Sequence, residues 1–187
     1  TADMGLICGP KHIGFNDQEH NRSGIAVYMN EQKFRQTDLR GFEGGLNEGG
    51  GLAVMVAFNR VGATNASHHV GMLKTILRGE WGFTGVISTD LASAPYFDAA
   101  SMIMATVTQR AEFGGNNSYL SESNNHDEAD KTYGYLSVNS VKNDPEFVAQ
   151  ARENLKYQLY TFANSQVLNI RTIRVTPWWE ASLIAVI

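Results

Sequence analysis

Arg78–Asp90 reads RGEWGFTGVISTD, and this stretch decides the fold. Gly82 and Gly85 break any helix around Phe83-Thr84. Gly85-Val86-Ile87-Ser88-Thr89-Asp90 is then a strand, rich in β-branched residues and ending in a carboxylate. Before it, Ser67 is a helix cap, with Val70, Leu73, Ile76 and Leu77 on one face and Gly79 and Gly82 at the end. Earlier still, Leu52–Phe58 (LAVMVAF) is an unbroken apolar run, as expected of a strand buried on both faces of a parallel sheet. Strand, amphipathic helix, strand is the βαβ unit, so the spacing predicts an α/β fold built on parallel strands.

The same alternation extends outward. Met4–Cys8 is a short apolar run ending at Gly9-Pro10 and reads as a first strand. Asn30 caps a helix that runs to about Asn47, with Phe34, Phe42 and Leu46 near helical spacing and Gly49-Gly50-Gly51 as the stop. Downstream, Phe97–Glu112 reads as a further helix, closed by Phe113-Gly114-Gly115. Three or four βα units are visible, about half of a (β/α)8 barrel. A complete barrel takes roughly 250 residues, against 187 here. An open doubly wound sheet is the structural competitor, although the dinucleotide signature GxGxxG is absent. The expected organisation is a single partial barrel domain: βα units over 1–113, an Asn/Ser/Gly-rich loop over 114–143, and a C-terminal helix and apolar tail over 144–187. The loop either folds over the site or serves as a linker. Asp144-Pro145 starts the last helix as cap and first residue. Its apolar positions Val148, Ala151, Leu155, Leu159 and Phe162 step by three and four.

Composition narrows the function. A net charge of -4 with no Lys/Arg cluster argues against a nucleic-acid partner. The single cysteine, Cys8, cannot form an internal disulfide. There is no CxxC and no HExxH, and the adjacent His68 and His69 are poorly spaced as ligands, so neither metal nor cofactor is expected. Thr1–Met4 lacks the features of a signal peptide. After Trp178 and Trp179, the apolar run Ala181–Ile187 is too short for a span, which needs about 20 residues. It reads as a last core helix or strand, or as the approach to a membrane segment further along the natural chain. The compartment, cytoplasmic or membrane-associated, stays open.

Barrel enzymes carry catalytic groups at the C-terminal ends of strands. Three segments here end in polar residues at such points: Lys11-His12, Phe58-Asn59-Arg60, and Asp90. Cations suit sugar hydroxyls, and a carboxylate kept ionised by them suits attack on an anomeric carbon. Taken singly, each has a plainer reading. A strand-end carboxylate is commonly a helix cap, a lysine is commonly solvated, and Arg22 can simply pair with Glu19 or Asp17 to order its loop.

Taken together, KHIGFNDQEHNR (Lys11–Arg22), LAVMVAFNRVG (Leu52–Gly62) and RGEWGFTGVISTD (Arg78–Asp90) resemble three successive blocks of glycoside hydrolase family 3, β-glucosidase-like branch, in order and with the family's spacings. The resemblance covers roughly residues 9–113. It implies the C-terminal half of the catalytic barrel of a retaining β-glycosidase. Asp90 falls at the nucleophile, Lys11, His12 and Arg22 at residues that hold the sugar, and Phe58 where many members have a tyrosine facing the nucleophile. Leu91 replaces a frequent tryptophan. Asn16, Glu19 and Arg22 match the glucosidase-type loop pattern, not the His-Asp dyad of the N-acetylglucosaminidases. The acid/base of such members is a glutamate in a separate domain, and none of Glu43, Glu48, Glu80 and Glu112 is placed like it. The resemblance therefore implies a β-linked glucoside, xyloside or short oligosaccharide as substrate, and little activity for this chain alone. The remainder of a parent polypeptide or a second copy would complete the barrel. A non-catalytic glycan-binding or structural module and a glycoside phosphorylase are the alternatives.

Overall fold

A computed structural model describes residues 2–91, 98–111, 120–121 and 136–168. Its centre is a four-stranded parallel sheet formed by β1 (Lys11–Ile13), β3 (Ala53–Val56), β6 (Val86–Leu91) and β7 (Gln109–Ala111), adjacent in that order. β3 and β6 pair in continuous register from Ala53↔Val86 to Val56↔Thr89. The helices between them are α1 (Glu31–Gln36), α2 (Asp38–Glu43), α3 (Gly71–Glu80, wound as a π-helix) and α4 (Ala99–Met104), and α5 (Pro145–Ala163) follows the last strand. A second small sheet joins β2 (Ala26–Val27), β4 (Arg60–Val61) and β5 (Thr64–Asn65).

Alternation along the strands separates two faces. Val54, Val56 and Ile87 are buried and meet Met72, Leu73, Ile76 and Leu77 of α3 in one apolar cluster, and Thr89 on the same face is buried with its hydroxyl accepting the Ala111 amide at 2.9 Å. Ala53, Met55, Ser88 and Asp90 take the other face and are only half buried. The expectation that the Leu52–Phe58 run is buried on both faces therefore holds for one face alone. Gly85 is obligatory at the start of β6, because a Cβ there would strike the Leu52 carbonyl.

Several expected elements fall elsewhere. The first strand is not Met4–Cys8. That segment holds a 3-10 turn at Ala2–Met4, and Met4, Leu6 and Ile7 are exposed. The strand is Lys11–Ile13 itself, so Lys11 and His12 lie on β1, not after it. The Asn30 cap is present, its side chain accepting the Lys33 amide, but the helix breaks at Thr37 and ends in a π-type turn over Gly44–Glu48. Asn65 caps the 3-10 turn containing Ser67, and the His69 ring nitrogen Nδ1 accepts the Met72 amide at 2.9 Å to start α3. Val70 is exposed and contributes nothing to the buried face.

The expected helix over 97–112 is in fact α4 followed by a fourth parallel strand. The chain turns at Thr106, φ 68, and the β-branched Val107 and Thr108 lead into β7. In α5, Asp144 caps as expected. Its buried positions, however, are Phe147, Asn154 and Thr161, while Leu155, Leu159 and Phe162 are more than half exposed. Asn154 explains the rotation: its amide donates to the carbonyl of Ile103, in the last turn of α4, at 3.0 Å and to that of Val107, just before β7, at 3.1 Å. Most of the 114–143 loop and all of the tail beyond 168, Trp178 and Trp179 included, lie outside the described residues. Among the described residues no helix is long and apolar enough to cross a membrane.

Candidate active site

The parallel sheet gathers its chemistry at the C-terminal ends of β1, β3 and β6. Asp90 is next to last on β6, on the half-open face, with its side chain 13% exposed. His12 Nε2 on β1 faces Asp90 Oδ2 at 3.1 Å, and Arg22 Nη1 lies 3.7 Å from the same oxygen. Arg22 comes from the loop between β1 and β2, which the small sheet fastens to the segment after β3: Arg60 N–H donates to the Ile25 carbonyl at 2.9 Å and Gly62 N–H to Val27 at 2.8 Å. The Arg22 guanidinium rests over the Phe58 ring, 4.6 Å from its centroid, and its Nη1 donates to Glu19 Oε1 at 3.2 Å. Arg22 is thus shared between two carboxylates and an aromatic face.

Burial pulls the His12 imidazole below its ordinary value; Asp90 opposes that shift, and the charges of Lys11 and Arg22 reinforce it. The ring is therefore neutral near pH 7. Asn16 Nδ2 approaches His12 Nδ1 at 3.4 Å. With the amide as donor, Nδ1 accepts and the ring proton sits on Nε2, toward Asp90. Lys11, joined to His12 by a cis peptide, is exposed beside it.

Of the residues singled out in the sequence, the structure brings Asp90, His12, Arg22 and Phe58 together, with Lys11 at the margin. Arg60 turns away, its Nη1 reaching the Gly24 carbonyl at 3.4 Å. Glu80 and Glu43 are engaged by Arg35 and Arg40 respectively, and Glu112 lies outside the described residues. His68 and His69 are partly buried on the turn before α3, and His20 is exposed. Among the described residues no group of three metal-ligating side chains forms.

Two residues at the site had not been singled out for a role of their own, Asn59 and Asp38. Asn59 is 1% exposed and donates its amide to the Gly14 carbonyl. Asp38 Oδ2 accepts the Gly14 amide at 3.3 Å. Asn59 was legible as a polar residue directly after an apolar strand. Asp38 carried no signal, because its contact is with a distant backbone amide.

This arrangement can be set against known proteins. The model of the glycosyl hydrolase family 3 N terminal domain matches residues 5–145. The chain belongs to glycosyl hydrolase family 3. Within the family it is 35% identical over 90 residues to a probable beta-glucosidase J of Emericella nidulans, an alignment covering 48% of this chain and 11% of the relative. It is 30% identical over 128 residues to a beta-glucosidase of Bacteroides ovatus, covering 64% of this chain and 17% of the relative. The chain thus spans a small part of the length of the curated relatives it matches.

Solved family 3 structures give the fold. Beta-glucosidase 3B from Thermotoga neapolitana superposes with a TM-score of 0.69 at 23% identity, over 89% of this chain and 22% of that one. A beta-glucosidase from Paenibacillus barengoltzii superposes with a TM-score of 0.69 at 23% identity, over 88% and 18%. The architecture is a partial barrel of the family 3 type, β-glucosidase-like, with parallel strands lined up as in those enzymes.

Proposed function

We propose that the chain carries the nucleophile half of a retaining β-glycosidase site, with Asp90 as the nucleophile. The observation that supports this reading best is the meeting of His12 and Arg22 on one oxygen of a half-buried carboxylate at the C-terminal end of a parallel strand. Attack requires a carboxylate as nucleophile, and the Arg22 guanidinium sets a positive charge 3.7 Å from this one. Asp90 would attack the anomeric carbon and form a glycosyl ester. Water would then release the sugar with retention. Lys11, His12 and Arg22 would hold the hydroxyls of the sugar, and Phe58 would back Arg22 through its ring. A β-linked glucoside, a xyloside or a short oligosaccharide is the substrate class, in keeping with relatives named beta-glucosidases.

Double displacement also needs an acid whose carboxyl lies about 5–5.5 Å from the nucleophile. Glu80 closes α3 and so stands at the opposite end of its βα unit from Asp90. Glu19, the carboxylate nearest the site, is exposed and engaged by Arg22, and the family resemblance puts the acid in a separate domain, so the 187-residue chain alone is expected to turn over little aryl β-glucoside.

The test uses a 2-deoxy-2-fluoro-β-glucoside with a good leaving group, applied to this chain and to the longest polypeptide that contains it, with the labelled peptide mapped by mass spectrometry. The expected result is a label on Asp90 in the longer protein. A label there in the short chain as well would overturn the expectation of inactivity. No label in the longer protein, with the xylose analogue tried too, would leave a non-catalytic glycan-binding module. Phe58 speaks for that second reading: it offers Arg22 a ring face where a tyrosine would also offer a hydroxyl.

A further inference from the structure

We infer that Asp38 and Asn59 are positioning residues that clamp one residue, Gly14, by its amide and its carbonyl, and thereby set His12 and Asn16 against Asp90. The inference rests on reading His12 and Asp90 as one site.

β1 holds only three residues, so pairing with β3 alone fixes His12 weakly. Immediately after it the backbone takes two left-handed conformations, Gly14 at φ 112 and Phe15 at φ 65. A Cβ at Gly14 would lie 2.9 Å from the Ala66 Cβ. A bulky residue in the left-handed region is strained and persists only where its surroundings impose it. Here they do so from both sides. From α2, the Asp38 carboxylate accepts the amides of Gly14 and Phe15. From the end of β3, the buried Asn59 donates to the Gly14 carbonyl. The Phe15 ring packs on Phe34 of α1, centroids 4.9 Å apart. The clamped turn separates His12 from Asn16, whose amide reaches back to His12 Nδ1. Slackening the clamp releases both the ring and the group that selects its tautomer. Neither Asp38 nor Asn59 touches Asp90.

The test is imidazole 15N NMR on the 187-residue chain across a pH titration, in wild type, Asp38→Asn and Asp38→Ala, each with and without Asp90→Asn. In wild type, Asp90→Asn should lower the His12 pKa, because it removes the larger of the two charges, Asp90 and Glu19, that favour the protonated ring against Lys11 and Arg22. A wild-type His12 that ignores Asp90→Asn would sink the shared site itself. If that coupling is present, Asp38→Ala should shrink it by about half or more and mix the two neutral tautomers of His12. Asp38→Asn, which keeps one acceptor oxygen but loses the charge and the second oxygen, should fall between. It also serves as the decisive variant if Asp38→Ala fails to fold. His68 and His69, on a different turn, should keep their depressed titrations in every folded variant. An unchanged coupling and tautomer in Asp38→Asn or Asp38→Ala, or equal changes at His68 and His69, would overturn the clamp while leaving the glycosidase reading intact.

Discussion

At Asp90 a single carboxylate oxygen faces an imidazole and a guanidinium, and this sets the electrostatics of the site. His12 is held neutral mainly by burial. Burial also lowers His68 and His69. For all three the folded pKa lies below the unfolded value. Their contribution to stability is therefore full above the unfolded value, about 6.5, and is lost as pH falls through the folded values. The midpoint of urea unfolding should drop between about pH 8 and about pH 5. A flat profile would show that these rings are not buried. Asp38 acts in the opposite sense at lower pH. Burial raises its pKa, so its contribution is full below the unfolded carboxylate value and fades as pH rises through the folded one. Asp38→Asn should remove that term. At this scale the sequence was informative where chemistry coincides with a strand end. Asp90 and Phe58 are readable from the apolar runs that contain them, whereas the run before His12, Met4–Cys8, is no strand and His12 lies on β1 itself. Asp38 was not readable, because a side chain that serves a remote amide leaves no local pattern.

Elements show where periodicity misleads. The α5 repeat of Leu155, Leu159 and Phe162 is helical, and the helix is there, but those side chains face out. What docks α5 is an amide that bridges the last turn of α4 and the turn into β7. Asn154→Leu should cost about 1–3 kcal/mol in urea unfolding, since the two buried hydrogen bonds of that amide are lost. Leu159→Lys, on the outward face, should stay within about 0.5 kcal/mol. The reverse ranking would mean that the apolar stripe is the docking surface. Likewise β7 was hidden inside an expected helix. Ala99, Met102 and Ile103 do keep helical spacing, and only the turn at Thr106 switches the period from helix to strand. β3 and β6 were legible because long β-branched runs between glycines admit few other readings.

Across the whole molecule, Arg78 ties four elements together. Its Nη1 donates to the carbonyls of Phe83 and Gly85 at 2.7 Å each, its Nε to Thr106 Oγ1 at 3.2 Å, and its plane lies 3.7 Å from the Tyr157 ring centroid. Burial brings its pKa down to about 10, which leaves it charged at neutral pH. Arg78→Met should therefore lose about 3 kcal/mol and loosen α5 along with the start of β6, seen as faster amide exchange in both. An effect confined to α3 would contradict this. The sheet itself has a kinetic consequence. Every neighbouring pair in it, Lys11↔Met55, Ala53↔Val86 and Ser88↔Gln109, joins residues a full crossover apart. No hairpin nucleates it, so loop-closure entropy must be met before any central rung forms. High contact order of this kind makes folding slow. While the strands wait for partners, their apolar cores are exposed to other chains, and refolding yield should fall as protein concentration rises.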